Sequence, residues 1–419
     1  MHHFKYRGNA LFCEDVSIQD ISAKIGTPFY LYSYATLKRH FQVFDAAFED
    51  VSKLICFSAK ANTNLAVLKI FADLGCGLDI VSGGELYRGL MAGFSPDRIV
   101  YSGVGKRVDE IDYALDTDIL MFNVESPVEL ELINRRAASL RKRAPVAIRV
   151  NPDVDPKTHP YISTGLKKNK FGINTDTAIE SYRMAGDLEH VDVVGIDCHI
   201  GSQITETKPF EAALKSLKNL INDLKQMGID IKYLDMGGGL GITYADEKPP
   251  PLSEYAATMT QQLKGMDLKL ILEPGRVLVG NAGILVTKVL YRKPGETKNF
   301  VIVDAGMNDL LRPTLYNAFH AIEPVVNSNE NQIVADVVGP ICESSDFLAV
   351  DRNINNVKPG DLLAVMSAGA YGYVMSSNYC SRLRVAEVMV KDDRFHVIKT
   401  RESYEDLVRG ESLPPYLGI

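Results

Sequence analysis

Short apolar runs, many of them rich in β-branched residues, recur along the first two thirds of the chain, and each ends in a polar or glycine-rich cluster. Amphipathic stretches with apolar residues at helical spacing separate them, as in SPVELELINRRAASLRKR from Ser126. The eight runs are KLICFSAKAN from Lys53, GLDIVSGGE from Gly77, RIVYSG from Arg98, ILMFNVES from Ile119, PVAIRVNP from Pro145, VDVVGIDCHIGS from Val191, IKYLDMGGGLG from Ile231 and LKLILEPGR from Leu268. Eight strand–helix units over about 220 residues are what a TIM (β/α)8 barrel requires.

A doubly wound open sheet has the same alternation of strands and helices, so the pattern alone leaves two α/β folds open. The number of runs and the chemistry at their ends favour the barrel, because barrel enzymes carry catalytic groups at the carboxyl ends of the strands. Those ends carry Lys60, Asp79 with Ser82–Glu85, Asn123, Arg149–Asn151, His199–Ser202, Gly237–Gly239 and Glu273–Arg276. We therefore predict an α/β protein with a barrel over residues 33–276.

The pattern changes after Arg276, where apolar and polar residues alternate in runs joined by turn-like segments. Examples are NFVIVDAG, QIVADVVGP and RLRVAEVMVK. Such alternation is typical of antiparallel strands with one buried face. We predict a second, mostly antiparallel β-barrel or sandwich domain over residues 277–419. Residues 1–32 are assigned to it as well, because a barrel that begins near residue 33 has no place for another strand.

Composition narrows the classes of function. The formal net charge of −7 argues against a nucleic acid or an anionic membrane as the main partner. No run reaches the roughly 18 apolar residues of a membrane span, and the first residues lack the pattern of a signal peptide. The six cysteines are scattered without a C-x-x-C pair, which fits a cytoplasmic protein and gives no zinc signature.

Lys60 lies at the end of the first run, in CFSAKAN. A lysine after an apolar strand is expected to be desolvated, which lowers the pKa of its ammonium group and frees the amine for Schiff-base chemistry. A surface lysine in a strand–helix loop would give the same local sequence. Lys60 is therefore a candidate that needs support from other strand ends.

Three consecutive glycines, Gly237, Gly238 and Gly239, follow the seventh run. Glycines let backbone N–H groups approach an anion closely, and barrels often bind phosphate after their seventh and eighth strands. A tight turn between a strand and a helix would explain the same residues without any ligand.

Two further strand ends carry groups suited to an aromatic cofactor. Glu273 could keep a pyridine nitrogen protonated, and Arg276 offers two donors to a carboxylate or phosphate. His199 could stack on a ring, and Ser202 could donate to a phosphate. A surface salt bridge and a core histidine are the alternatives for these residues.

The second domain also carries polar groups in loops marked by glycine or proline. Cys342 and Glu343 follow a predicted strand in GPICESSD, where a thiol could donate a proton and a carboxylate could bind an ammonium group. A single cysteine is more often simply buried. Arg312 and Tyr316 lie in NDLLRPTLYNAFH, and Tyr371 lies in SAGAYGY.

These motifs together, in this order, resemble the fold-type III pyridoxal-phosphate (PLP) decarboxylases, which have an alanine-racemase-like barrel and a C-terminal β domain. The resemblance runs from about Thr27 to about Tyr379. It rests on FSAKAN, GLDIVSGGEL, HIGSQ, LDMGGGLG, EPGR, RPTLYNAFH, CESSD and GAYG.

The resemblance implies PLP as the cofactor and a role for each motif residue. Lys60 would hold the cofactor as an imine, Glu273 would face the pyridine nitrogen, His199 would stack on the ring and Cys342 would be the proton donor. The implied cofactor-binding residues are Lys60, Asp79, His199, Ser202, Gly237, Gly238, Gly239, Glu273, Gly275, Arg276 and Tyr371. The implied substrate contacts are Arg276, Arg312, Tyr316, Glu343 and Tyr371. Cys342 and Glu343 would come from the partner subunit, so the resemblance implies a homodimer.

The reaction that the resemblance implies is decarboxylation of meso-2,6-diaminopimelate to L-lysine and CO2. The distal end of this substrate carries both an ammonium and a carboxylate, which Glu343 could bind together with Arg276 and Arg312. An ornithine-type substrate would leave two arginines without an anion. Decarboxylation of carboxynorspermidine or another basic amino acid remains an alternative, as does a PLP-binding protein without turnover. A metal-dependent barrel hydrolase is disfavoured because the strand ends lack clustered metal ligands.

Overall fold

The structure is a computed structural model that describes residues 2–155, 164, 169–328 and 331–417. The chain divides into two compact units. One is Leu37–Gly280, and the other holds the described residues on either side of it. Each unit has its own sheet and its own buried core, and each is described in turn.

The strands are, in chain order, β1 (Phe4–Arg7), β2 (Ala10–Cys13), β3 (Val16–Ser17), β4 (Phe29–Ser33), β5 (Lys53–Ser58), β6 (Gly77–Ile80), β7 (Ile99–Tyr101), β8 (Met121–Val124), β9 (Ala144–Asn151), β10 (Ile173–Asn174), β11 (Val191–Asp197), β12 (Tyr233–Asp235), β13 (Lys269–Leu272), β14 (Gly283–Lys293), β15 (Phe300–Val303), β16 (Ile322–Pro324), β17 (Gln332–Val338), β18 (Phe347–Asn355), β19 (Leu362–Val365), β20 (Ala386–Lys391) and β21 (Arg394–Lys399). The helices are α1 (Ile18–Ile25), α2 (Tyr34–Ala46), α3 (Leu65–Asp73), α4 (Gly83–Ala92), α5 (Val108–Thr117), α6 (Pro127–Leu140), α7 (Thr175–Gly186), α8 (Lys208–Gln226), α9 (Leu252–Leu263), α10 (Arg276–Val279), α11 (Arg312–Tyr316) and α12 (Tyr404–Leu407).

The first unit is a closed parallel barrel. Neighbouring strands pair in the order β5, β6, β7, β8, β9, β11, β12, β13, and β13 pairs again with β5. Within the described residues these eight strands are the eight apolar runs of the sequence, so the barrel prediction is confirmed. Closure of the sheet excludes the open doubly wound alternative. The short strand β10 extends the sheet beside β9.

The barrel helices follow from residue patterns that bury one face. In α8 the buried residues recur every three or four positions, at Phe210, Leu214, Leu217, Ile221 and Leu224 among others. This is the spacing at which helical side chains share a face, and that face packs inward. Helices α4 and α6 each begin after a serine whose hydroxyl accepts a backbone N–H of the first turn, which fixes where the helix starts.

The interior of the barrel has an apolar layer. Its members are Leu54, Cys56, Val100, Met121, Ala147 and Ile271, and all are at most 3% exposed. They come from β5, β7, β8, β9 and β13, so neighbouring strands contribute to one cluster. Burial of this kind of surface contributes about 25 cal/mol per Å² of apolar area.

The second unit is a mostly antiparallel sheet organised around β14. This strand pairs in antiparallel fashion with β4, β15 and β19, and the other pairs are antiparallel except β4 with β20 and β15 with β17. The pairing of β4 with β14 and β20 confirms that the N-terminal segment belongs to the C-terminal sheet. Strands β1, β2 and β3 form a small separate antiparallel sheet.

In the described part of the chain, none of the helices combines the length and the apolar character that crossing a bilayer demands.

We expect Ile271→Ala to lower the free energy of unfolding by about 2–5 kcal/mol, because it leaves a cavity in the apolar layer of the barrel. Ile271→Val should cost only about 1 kcal/mol. Urea denaturation followed by circular dichroism measures both. Val128→Ala is the control, because Val128 is 73% exposed on α6. An effect of Val128→Ala as large as that of Ile271→Ala would contradict the assignment of this core.

Candidate active site

A layer of polar side chains lies next to the apolar layer, towards the carboxyl ends of the barrel strands. Ser58, Ser102, Asn123, Arg149 and Glu273 each follow a member of the apolar layer by two positions along the chain. Residues two apart on a strand point to the same face of the sheet. The inward-facing row therefore changes from apolar to polar at the same level of each strand, and this builds a site.

Lys60 lies in a 3₁₀ turn, Ala59–Ala61, immediately after β5. Its Nζ is 3.1 Å from Oδ2 of Asp79, and Ser58 Oγ donates to the same oxygen at 2.5 Å. The Asp79 side chain is fully buried, whereas that of Lys60 is 36% exposed. The lysine is thus a paired amine on the wall of the barrel, and it is less desolvated than its sequence context predicts.

The glycines after β12 are needed for close packing. A Cβ at Gly238 would lie 2.2 Å from the backbone oxygen of Glu273, and Gly237 and Gly239 have φ values of +63° and +112°. The N–H of Gly237 donates to Asp235 Oδ1 at 2.9 Å, and the N–H of Gly238 donates to His199 Nδ1 at 3.2 Å. These two N–H groups, which the sequence offered as anion donors, already have partners inside the barrel.

His199 is a neutral imidazole in this environment. Burial lowers its pKa well below the usual value, and the cations Arg149 and Lys60 lower it further. Because Nδ1 accepts the N–H of Gly238, the single ring proton lies on Nε2. The ring is therefore uncharged and fixed in one tautomer, which suits contact with an aromatic cofactor.

Arg276 and Ser202, which the sequence placed at two different strand ends, lie together. Arg276 Nη2 donates to Ser202 Oγ at 2.9 Å, and Nη1 donates to the hydroxyl of Tyr244 at 2.8 Å. A Cβ at Gly275 would lie 3.0 Å from the Cβ atoms of both Ser58 and Ala61. Glycine there lets the segment that carries Arg276 pass close to the start of the Lys60 turn.

Glu273 is buried among other carboxyl groups. Its Oε1 accepts from Ser102 Oγ at 3.3 Å and from Asn123 Nδ2 at 3.5 Å. Burial raises its pKa well above the usual value, and the charges of Asp235, Asp79 and Asp197 raise it further, whereas Lys60 lowers it. The charged groups around Glu273 are therefore mostly anionic.

Sequence reasoning missed two acids of the polar layer, Asp197 and Asp235. They end β11 and β12 in register with each other and point into the barrel. Burial raises the pKa of both, that of Asp235 to about 6. Asp197 directly precedes CHIGS, and Asp235 directly precedes MGGGLG, two motifs that drew attention to other residues. Their position as the last residue of a strand was the available signal.

Arg312 and Tyr316, in the second unit, begin and end the short helix α11. Arg312 is buried, and its Nη1 lies 2.8 Å from Nε2 of His320. Nδ1 of His320 lies 2.8 Å from the backbone oxygen of Met366, so the ring donates there and accepts from the guanidinium. Tyr316 is half-buried.

Cys342 and Glu343 are exposed in the loop between β17 and β18. Glu343 accepts hydrogen bonds from Ser345 Oγ and from the hydroxyl of Tyr379, each at 2.6 Å. These bonds hold its pKa below the usual value, so the side chain is an exposed carboxylate. Tyr379 was not singled out from the sequence. Tyr371 has a φ of +55°, an unusual conformation for a residue with a side chain.

The donor set of the barrel fits PLP. A paired lysine, a neutral imidazole, a serine–arginine pair and a buried carboxyl group correspond to the aldehyde, ring, phosphate and pyridine nitrogen of that cofactor. The charge deficit around Glu273 is what a cationic pyridinium would relieve. Among the described residues no cluster of side chains could hold a metal ion.

Comparison with known proteins assigns the class. The family model for the pyridoxal-binding domain of pyridoxal-dependent decarboxylases matches residues 34–280. Together with the closed barrel and its polar layer, this defines a pyridoxal-dependent decarboxylase, whose cofactor is PLP. Within that class the chain belongs to the diaminopimelate decarboxylase family.

The relatives are similar over nearly their whole length. The chain is 51% identical to the diaminopimelate decarboxylase of Aquifex aeolicus, over 97% of this chain and 96% of that protein. It is 50% identical to the Pseudomonas aeruginosa enzyme, over 99% and 100%. Two solved diaminopimelate decarboxylases in complex with L-lysine have the same fold. The Helicobacter pylori enzyme has a TM-score of 0.91 at 44% identity, covering 93% of this chain and 98% of that one. The M. jannaschii enzyme has a TM-score of 0.94 at 39% identity, covering 99% and 98%.

We expect Gly238→Ala to destabilise the protein by about 1–3 kcal/mol and to weaken PLP binding. The new methyl group would collide with the backbone oxygen of Glu273, and neither backbone segment can easily shift. Thermal unfolding and absorbance titration with PLP measure the two effects. Gly186→Ala is the matched control, because no atom lies within 4 Å of its added Cβ on α7. Normal PLP affinity in a folded Gly238→Ala protein would contradict the close packing described here.

Proposed function

We propose that this protein catalyses the PLP-dependent decarboxylation of meso-2,6-diaminopimelate to L-lysine and CO2, the last step of lysine biosynthesis. The observation that carries the proposal is the buried carboxyl group of Glu273 in the polar layer that also holds the Lys60–Asp79 pair. A carboxyl group at the pyridine nitrogen favours build-up of negative charge in the cofactor ring, as decarboxylation requires. Similarity to diaminopimelate decarboxylases over the whole chain supports the substrate.

The barrel residues would bind and orient the cofactor, which when bound supplies an electron sink for the bond to the departing carboxylate. Lys60 would hold it covalently, with Asp79 keeping the amine in place beforehand. Neutral His199 offers a flat apolar face without competing for the ring's proton. Gly237–Gly239 and Gly275 keep the surrounding backbone close, and we propose Tyr371 as a further cofactor-binding residue.

The phosphate would lie near the donor pair that Ser202 and Arg276 already form. The guanidinium of Arg276 is buried and keeps its charge, so it attracts an anion strongly in a poorly hydrated site. Its bond to Tyr244 fixes the orientation of its planar donor fork.

Substrate selection would depend on charge matching by Arg276, Arg312, Tyr316 and Glu343. Arg312 presents a guanidinium that His320 orients, which suits a carboxylate. Glu343 is kept ionised by the two hydroxyl groups that donate to it, which suits an ammonium group. A substrate with both charges at its distal end would satisfy both residues, whereas a diamine precursor would satisfy only Glu343.

Cys342 would donate the proton that replaces the lost carboxylate, and we propose that it acts in the site of a partner subunit. A proton donor works best away from bulk water, yet Cys342 and Glu343 are both exposed in the single chain. A second copy of the chain that covers this loop would remove the water, which supports a homodimer. The free state of all six cysteines supports a reducing cytoplasm as the location.

We also propose residues 33–276 as the PLP-binding domain, with 1–32 and 277–419 as the β domain. The two compact units, divided after Thr36 and after Gly280, support these limits.

The proposed function predicts CO2 release from meso-diaminopimelate, with L-lysine as the product, in the presence of PLP. Ornithine, arginine and carboxynorspermidine should react with at least about a hundredfold lower kcat/KM, because each leaves a charged group of the site unmatched. A CO2-release assay on the four compounds measures this. Equal rates with carboxynorspermidine or ornithine would overturn the substrate assignment.

Lys60→Ala provides the control for that assay, because it should abolish turnover while the protein remains folded. Borohydride reduction of the wild-type protein should fix PLP on Lys60, and mass spectrometry of peptides would locate it. An adduct on another lysine, or CO2 release by Lys60→Ala, would contradict the assigned role.

The shared site predicts that two inactive variants complement each other. Lys60→Ala and Cys342→Ala should each lose most turnover as pure dimers. Mixed in equal amounts, they should recover about a quarter of wild-type activity, because half of the dimers are hybrids and each hybrid keeps one intact site. No recovery despite subunit exchange, followed by native mass spectrometry, would show that each chain uses its own Cys342.

A further inference from the structure

The polar layer of the barrel holds more buried acids than its cations neutralise. Asp79, Asp197, Asp235 and Glu273 are all at most 5% exposed. Lys60 pairs with Asp79 at 3.1 Å, and Arg149 pairs with Glu125 at 2.7 Å and with Asp197 at 3.7 Å. Among the ion pairs of the described residues, none involves Asp235 or Glu273. These two acids are therefore buried without an ion-pair partner of their own in this part of the chain.

Asn123 connects the two acids. Its Nδ2 donates to Asp235 Oδ2 at 3.1 Å and lies 3.5 Å from Glu273 Oε1. It also lies 3.0 Å from Ser102 Oγ, which donates to Glu273 Oε1. An amide group can orient two carboxyl groups in this way, but it carries no net charge to neutralise them. Two carboxylates this close in a buried site cannot both be ionised without a large cost.

The hydrogen bonds decide which of the two keeps the charge. Asp235 accepts the N–H of Gly237 at 2.9 Å in addition to its bond from Asn123, both within ordinary hydrogen-bond distance. Apart from its bond to Asp235, Glu273 has only the two longer contacts, at 3.3 Å from Ser102 and 3.5 Å from Asn123. Asp235 is thus the better-stabilised anion, and the proton stays on Glu273.

The charged groups around Glu273 act in the same direction. Asp235, Asp79 and Asp197 face it from β12, β6 and β11 and raise its pKa, whereas Lys60 after β5 lowers it. Arg149 of β9 is engaged by Glu125 and Asp197. Burial raises the pKa of Asp235 to about 6, and the hydrogen bonds that it accepts, one of them from Glu273, prevent a larger rise.

We propose that Asp235 is a positioning residue that, by its charge and by its bonds to Glu273 and Asn123, keeps Glu273 protonated until the cofactor arrives, so that Glu273 itself supplies the proton of the pyridinium. The O–H bond of Glu273 breaks, and an N–H bond to the pyridine nitrogen forms. Glu273 becomes a carboxylate against a cation, and no other reactant takes part. The proposal rests on the proposed function only in that PLP occupies the barrel, and it does not depend on the substrate.

Infrared difference spectroscopy on the full-length protein tests whether Glu273 is protonated without PLP and loses its proton when PLP binds. With ¹³C-carboxyl-labelled glutamate, the cofactor-free protein at pH 7 should show the C=O band of a protonated glutamic acid. Loading with PLP should remove this band, and Glu273→Gln should lack it. If the wild-type protein binds PLP, as its absorbance reports, without losing such a band, the proposal is overturned. Because this arm uses the wild-type chain, it does not depend on how any Asp235 variant folds.

Asp235→Asn tests whether Asp235 keeps Glu273 protonated. Removing this charge should lower the pH midpoint at which the Glu273 band disappears in the cofactor-free protein by on the order of one pH unit, because a neighbouring anion no longer opposes ionisation. Asp192→Asn is the control. Asp192 lies on the same strand as Asp197, but it is a surface carboxylate that pairs with Arg143, so its removal should leave the midpoint unchanged. An unchanged or higher midpoint in Asp235→Asn would overturn the role of Asp235.

Both arms use PLP without substrate, so they separate this inference from the proposed reaction. A protein that shows the band change but releases no CO2 from diaminopimelate would refute the reaction and keep the proton transfer. A protein that decarboxylates diaminopimelate without the band change would refute the proton transfer alone.

Discussion

The alternation of side chains along the strands of a closed barrel is the constraint on which the site depends. Each strand turns every second residue inward, and closure brings the inward rows of all strands to a common axis. One step of two residues, from Met121 to Asn123 or from Ile271 to Glu273, takes the interior from apolar to polar. The apolar layer excludes water from one side of the polar layer. The polar groups therefore interact in a medium of low dielectric constant, where an unpaired charge is strongly destabilised.

Charge balance in that medium explains why the layer suits a cationic ring. Lys60 and Arg149 are already engaged with carboxylates, and they leave Asp235 and Glu273 without a cation among the described ion pairs. An anionic group at this position would worsen the imbalance, whereas a pyridinium would give the Glu273 carboxylate an adjacent cation. The same imbalance makes the protonation of Glu273 sensitive to Asp235, because the charge of Asp235 raises the pKa of Glu273.

The sequence predicted those features that lie within a single strand or motif. Eight apolar runs predicted the barrel, alternation after Arg276 predicted the antiparallel sheet, and the strand ends pointed to Lys60, His199 and Glu273. Contacts across the barrel could not be predicted in this way. Asn123 and Asp235 belong to β8 and β12, which are not neighbours in the sheet, and only the closed geometry brings them together. The glycines after β12 illustrate a related limit, because the partners of their N–H groups, Asp235 and His199, become visible only once the backbone path is known.

Cofactor binding and substrate binding differ in how strongly the fold determines the position of the residues proposed for them. The groups proposed for the cofactor lie at the carboxyl ends of barrel strands, where burial and hydrogen bonds fix both their position and their charge, as for His199 and Glu273. Among the groups proposed for the substrate, Glu343 lies in a loop, where neighbouring side chains must fix its position and its charge. Glu343 is exposed, yet the hydroxyl groups of Ser345 and Tyr379 orient it and keep it ionised. Substrate preference can therefore change through such neighbours while the barrel chemistry stays the same, and Tyr379 belongs with Glu343 in any account of specificity.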